Sequence, residues 1–300
     1  MTDTAVRSET IAWYQRLVDA ALPDLLDALL ADVPDLAADP IRYAVLAPGK
    51  RFRPLLLMAA FKGTGGRPED AADIACSVEL VHAYSLVHDD LPCMDDDVLR
   101  RGRPTLHVQF GVPAAVLAGA AMMPLAVRAV ELASRAMDLS DDRVAGLVAR
   151  LTAAAGGQGM VGGQLLDLRA EGRDVTPDEL ERIHEGKTAM LIAAAAAMGG
   201  VAAGAPAEDV DRLERFGMRL GLAFQAIDDI LDLQGTTDEL GKESGRDALL
   251  RKATYPGVHG LRDAERLSRE LVRAAEAELE GLPDAQDLRG IADWILARRH

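Results

Sequence analysis

Val78-Glu-Leu-Val-His-Ala-Tyr-Ser-Leu-Val-His-Asp-Asp-Leu-Pro-Cys-Met-Asp-Asp-Asp97 runs an apolar segment straight into five carboxylates within nine positions, Asp89 to Asp97. The apolar part predicts a long helix over about 71–90. Five carboxylates held together repel one another unless they are solvated or neutralised by cations. The spacing is not that of an EF-hand loop, and the required glycine is missing. Oxygen-liganded Mg²⁺, shared with substrate phosphate, is the natural neutraliser. Asp89 and Asp95 are six apart, about 240° of rotation on an ideal helix. They can share a face only if the helix ends between them, and Pro92 supplies that break.

A second acidic group, Asp228-Asp229-Ile-Leu-Asp232, lies in another apolar helical stretch, 220–233. Asp228 and Asp232 are four apart and project from one face. A charge run is usually a solvated face. Two such groups, each attached to an apolar helix, favour metal binding instead.

Cations form a third element. Gly49-Lys50-Arg51-Phe-Arg53-Pro54 and Arg100-Arg101-Gly-Arg103 are dense basic runs, and Lys187-Thr188, Lys242 and Lys252 lie in or near glycine-containing breaks. Arginine offers bidentate donors to phosphate and lysine a compact charge. Arg51 and Arg103 are expected to be solvated surface cations. The remaining cations and the two acidic groups together suggest two anionic substrates beside a metal cluster.

The rest of the chain narrows the class. It has 300 residues, 48 acidic and 33 basic, for a net charge of −15. Such a chain repels nucleic-acid backbones, so no nucleic-acid partner is expected. An apolar fraction of 49% is too high for disorder, and with aromatics at 4% the core must be built from Ala, Leu, Val and Met. Cys76 and Cys93 form no Cys-x-x-Cys pair, which fits a reducing, cytoplasmic setting. The uncharged stretch 110–127 is taken as a buried core helix, not a membrane span. Ala, Leu, Glu and Arg favour helix, and no period-two strand pattern stands out. Helices are expected from Ser8, with a break or kink at Pro23, over 55–61, and after a Thr176 cap. No linker divides the chain, so residues 1–300 are expected to form one all-α domain.

These residues resemble the trans-isoprenyl diphosphate synthases (polyprenyl synthetases). The resemblance rests on the three runs quoted above (49–54, 78–97 and, with Leu99 and Pro104, 99–104) and on five more. These are Gly159-Met-Val-Gly-Gly-Gln164, Gly186-Lys-Thr188, Phe224-Gln-Ala-Ile-Asp-Asp-Ile-Leu-Asp232, Leu240-Gly-Lys242 and Lys252-Ala-Thr-Tyr-Pro256. The resemblance implies the isoprenoid synthase fold, with long helices around a deep central cavity and the Asp motifs facing each other across its mouth. It also implies a homodimer and Mg²⁺-dependent condensation of isopentenyl diphosphate with an allylic diphosphate, using three ions.

Carried over by position, Asp89, Asp95 and Asp228 are implied as direct metal ligands, with Asp90, Asp229 and Asp232 in support. Lys50, Arg53, His82 and Arg101 are implied for isopentenyl diphosphate. Arg100, Lys187, Lys242 and Lys252 are implied for the allylic diphosphate. Thr188 and Gln225 are implied near the developing cation. His88 is taken as structural, and Cys93 as a bystander. Tyr84, five residues before Asp89, is a candidate cavity floor. An aromatic there, with two extra residues in the first Asp motif, resembles the bacterial-type farnesyl diphosphate synthases, implying a C15 product. A C20 product and a noncatalytic partner subunit are the alternatives. Two positions depart from the family pattern: Ala120 stands where Asp is usual, and Pro48 where Gly is common. The C-terminal Arg298-Arg299-His300 is taken as a frayed end outside the site.

Overall fold

Helix-favouring residues fill the long segments, and helices make up nearly all the regular structure of the described residues, 3–234 and 252–298, in the computed structural model. In chain order they are α1 (Asp3–Leu30), α2 (Asp35–Val45), α3 (Phe52–Gly63), α4 (Ala72–Asp89), α5 (Leu106–Phe110), α6 (Val112–Ala136), α7 (Asp141–Ala155), α8 (Met160–Ala170), α9 (Pro177–His184), α10 (Met190–Ala203), α11 (Ala207–Gln234), α12 (Tyr255–His259), α13 (Leu261–Glu278) and α14 (Gln286–Leu296).

α4 matches the predicted helix to within a residue at each end, and Thr176 caps α9 with a complete capping box closed by Glu179. Pro23 does not break α1, which runs through it. The flanking Leu22, Leu25 and Leu26 are buried, and their packing outweighs one lost backbone hydrogen bond.

The all-helix expectation misses one feature. Leu99–Arg100 and Arg103–Pro104 form a two-residue antiparallel pair, β1 and β2. Arg101 and Gly102 between them have φ of 54° and 74°, the sign that a tight hairpin turn requires.

Small residues bring the central helices together. A Cβ on Gly199 of α10 would overlap the Leu57 carbonyl of α3, and one on Gly217 of α11 would press on Ala193 of α10. This close approach explains how a chain so poor in rings still fills its core. α9 and α10 are one continuous rod joined by a π-turn at Glu185–Ala189. That rod and α6 are long and apolar enough to span a membrane by length and composition. The rod is mostly buried. α6, expected as core, is buried on one side only; its Val112, Val116 and Leu117 are exposed.

Candidate active site

α4, α8, the π-turn and α11 surround a cavity of about 620 Å³. α4 contributes His82, Ser85, Leu86 and Asp89, which recur at helical spacing along one face. α11 faces them with Phe224, Gln225, Asp228, Leu231 and Asp232, so both Asp motifs reach the same space.

The first motif folds back on itself as the helix ends. The amide of Asp95 donates to the Asp89 carbonyl at 2.8 Å, which undoes the angular separation of the two residues. Asp95 accepts from Lys252 at 2.7 Å. Burial raises the proton affinity of the Asp89 carboxyl, against the opposing charge of Lys187. Asp90 lies away from the cavity, bound by Arg100 at 2.5 and 3.0 Å, and burial raises its pKa to about 6 although Arg100 opposes the shift.

In the second motif, Asp228 and Asp232 line the cavity. Asp229 is buried and accepts from Gln225 Nε2 at 2.7 Å and from the Tyr255 amide at 2.8 Å. It therefore fixes the start of α12 and the Gln225 side chain.

Among the described residues no three acidic, His or Cys side chains converge on one ion position. The donors are nevertheless hard oxygens on two walls of one cavity. That suits Mg²⁺, which takes one or two protein carboxylates and completes its octahedron with phosphate oxygens and water. Protein cations sit on several of these acids: Lys252 on Asp95, Arg298 on Asp228 and Lys187 on the additional Asp167.

The expected isopentenyl-site residues share the cavity, His82 feeling the charges of Arg53 and Arg101. Lys50, Arg53, His82 and Arg101 all line the cavity. Arg53 is buried, and its Nε has no hydrogen-bond partner among the described residues. Burial lowers its pKa to about 10. His82 is held neutral by burial and by the guanidiniums of Arg53, Arg101, Arg100 and Arg51. Arg101 donates to the Pro48 carbonyl at 3.0 Å, and its guanidinium fills the space a side chain on Gly49 would need. Pro48 thus still serves the loop through its carbonyl.

In the π-turn, Lys187 donates to Asp167 of α8 at 2.5 Å. Burial alone would lower its pKa, but Asp167 and Asp89 raise it overall. The Thr188 hydroxyl donates to Gln225 Oε1 at 2.7 Å, joining the π-turn to α11. Arg100 is held by Asp90 and Asp97. Lys242 lies outside the described residues.

A model of the polyprenyl synthetase family matches residues 34–287. The chain belongs to the polyprenyl synthetase family. It is 42% identical to the farnesyl diphosphate synthase of Bacillus subtilis over 90% of its own length and 91% of the relative's. It is 40% identical to a chloroplastic geranylgeranyl pyrophosphate synthase of Capsicum annuum, over 91% of this chain and 74% of that one. Among solved structures, a geranyltransferase from Helicobacter pylori complexed with magnesium and isoprenyl diphosphate superposes with a TM-score of 0.79 at 31% identity, covering 96% of each chain. This polyprenyl synthetase is a prenyltransferase with the all-α isoprenoid synthase fold.

Three site features of the synthase escape the sequence. Arg51, expected on the surface, is 4% exposed and pairs with Glu79 at 2.6 Å and Asp19 at 2.9 Å. Its φ of 49° is left-handed, and it lines the cavity together with Lys50 and Arg53. Asp167 is a further site residue, and the spacing Gly163-Gln164-x-x-Asp167, which places it one turn from the glycine motif, is the signal that could find it. Arg298 is not frayed: it pairs with Asp228 at 3.0 Å and lies over the Phe224 ring at 4.6 Å.

His88 Nε2 lies 3.2 Å from the Val116 carbonyl, and Cys93 is exposed. Arg103 is half-buried over the Tyr43 ring at 4.1 Å. Tyr84, the candidate floor, is buried but does not itself line this cavity; its hydroxyl donates to the Ala155 carbonyl at 2.9 Å, bridging α4 and the end of α7.

Proposed function

We propose that this synthase condenses isopentenyl diphosphate head to tail with dimethylallyl and then geranyl diphosphate, giving farnesyl diphosphate. One observation carries the proposal: a single cavity holds two acidic walls and two separate sets of cations, one set around Arg53 and one around Lys187. Two diphosphates and a metal cluster satisfy those charges together. Bound Mg²⁺, as three ions in this proposal, supplies Lewis acidity that draws off the allylic diphosphate. Asp89, Asp95 and Asp228 would hold the ions, with Asp90, Asp229 and Asp232 orienting their neighbours.

The chain's own groups do the rest. Lys50, Arg53 and Arg101 bind the isopentenyl diphosphate, and neutral His82 adds a hydrogen-bond donor without adding charge. Lys187 and Lys252 release Asp167 and Asp95 to meet the allylic diphosphate, assisted by Arg100 and Lys242. Thr188 and Gln225 face the allylic carbon as its C–O bond breaks. The released diphosphate takes the proton lost after the new C–C bond forms.

The C15 reading rests on Tyr84, next in sequence to the cavity-lining Ser85 and held by its hydrogen bond to the Ala155 carbonyl, acting as a floor once the chain grows toward it. A C20 product is the second possibility, favoured by the likeness to the Capsicum enzyme. Incubation with Mg²⁺, isopentenyl diphosphate and each allylic diphosphate, resolving products by length, tests both. A C15 product that lengthens in Tyr84→Ala supports the floor, and unchanged length removes it. Absence of condensation with every acceptor overturns the proposal.

The exposed apolar face of α6, with Val112, Val116 and Leu117, suits a homodimer contact. Sedimentation of wild type and Leu117→Lys tests it; a wild-type monomer refutes it. A cytoplasmic setting suits the free thiols of Cys76 and Cys93.

A further inference from the structure

Gln164 belongs to the glycine motif 159–164, and the site described so far gives it no task. It lies on α8, is 8% exposed and lines the cavity. Neither Oε1 nor Nε2 has a hydrogen-bond partner among the described residues. A buried amide with both ends unpaired is costly unless something else meets it.

Its surroundings point to what that is. Gly163, the preceding residue, lets α8 press on the backbone of Gly186 and Lys187, where any Cβ would collide. Asp167, one turn on, holds the Lys187 ammonium. Gln164 is therefore carried against the segment that presents Lys187 and Thr188. The nearby polar groups are already engaged: Thr188 donates to Gln225 Oε1, and Gln225 Nε2 donates to Asp229. Of the two glutamines lining the cavity, Gln164 alone keeps its whole carbonyl open, among the described residues.

We propose that Gln164 is a catalytic residue whose Oε1 faces the allylic carbons and stabilises the positive charge developing there; this rests on the prenyl transfer proposed above. As the C1–O bond breaks, its electron pair leaves with the diphosphate and the allyl unit becomes cationic. The double-bond pair of isopentenyl diphosphate then forms the new bond to C1, and a proton passes to the released diphosphate. A neutral carbonyl turns a negative dipole end toward the allyl charge without the full charge that would compete with diphosphate for Lys187.

The test compares wild type, Gln164→Leu and Gln164→Glu by three measurements. These are kcat and KM for both substrates, the Kd of a non-ionising thiolo analogue of geranyl diphosphate, and the inhibition constant of an allyl-like ammonium analogue with inorganic diphosphate. Gln164→Leu is expected to lower kcat by about 10- to 100-fold, the range for one contact of this kind to a charged group. It should weaken the ammonium analogue similarly while changing thiolo binding less than threefold. Gln164→Glu should bind the ammonium analogue at least as tightly as wild type. Should the Gln164→Leu variant fail to fold, weaker ammonium binding by a folded Gln164→Glu overturns the proposal. A kcat within threefold of wild type, or equal weakening of both analogues by Gln164→Leu, overturns it as well. A wild type that forms no prenyl product instead overturns the function itself, so the two failures are distinct.

Discussion

Glu79→Gln isolates the buried pair that shapes the loop before α3. The Arg51 and Glu79 side chains are 4% and 3% exposed and lie 2.6 Å apart. Removing one partner of such a pair costs about 3–5 kcal/mol. Arg51 keeps Asp19 at 2.9 Å and the Ala47 carbonyl at 2.9 Å, and the new amide oxygen can still accept a hydrogen bond. The lower end, about 3 kcal/mol, is therefore expected. For 300 residues, at about 2 cal/mol/K of unfolding entropy per residue, Tm falls by about 5 °C. Calorimetry measures this. The functional loss should be one-sided, because Arg51 sits between Lys50 and Arg53: KM for isopentenyl diphosphate rises, while KM for the allylic substrate stays put. A companion Arg51→Met/Glu79→Leu should recover most of the stability but not that KM. An unchanged Tm, or equal rises in both KM values, would refute the role given to Arg51.

Three further perturbations address other parts of the site. Burial lowers the pKa of His184 to about 4, so the unfolded chain takes up that proton first and stability is lost as pH falls from about 6.5 toward 4. His184→Phe should remove about 2.5 kcal/mol of the acid-side loss between pH 7.5 and 4.5; parallel urea curves for wild type and variant would refute this. Asp167→Asn removes the largest charge holding the Lys187 ammonium, leaving Asp89 and Asp95, so its pKa falls and kcat/KM for the allylic substrate should decline at lower pH than in wild type; a pH profile matching wild type contradicts the pairing. Arg298→Ala frees the partly exposed Asp228; with one partner this exposed, the pair is worth at most about 1 kcal/mol. The Mg²⁺ concentration for half-maximal activity should fall two- to threefold, and a rise would count against competition.

What the sequence discloses follows from the range of each interaction. α4, the Thr176 cap and the paired faces of Asp228 and Asp232 depend on neighbours within a few positions, and all are legible. Pro92 is enough to predict that Asp89 and Asp95 reconverge. Arg51 is misread because its partners stand 28 and 32 positions away, and nothing local distinguishes a buried arginine from a solvated one. At Pro23 propensity predicts a break or a kink, and burial of the flanking leucines keeps the helix continuous. The hairpin at Leu99–Pro104 is hidden by its length, since two residues per strand give no alternation to detect. Arg298 is tied to a carboxylate 70 positions earlier, beyond any local pattern.

The π-turn at Glu185–Ala189 holds in effect one residue more than a regular helix needs. Upstream, the rod presents Leu180 and Ile183 to its neighbours, and downstream an almost wholly buried alanine face. The surplus residue shifts the phase between these halves, and Lys187 and Thr188 occupy the step. A chain that lost one residue there would regain a smoother helix and turn its reactive groups by about 100°. The irregularity is thus a stored misalignment, in which helical order is given up at one turn so that chemistry can point inward.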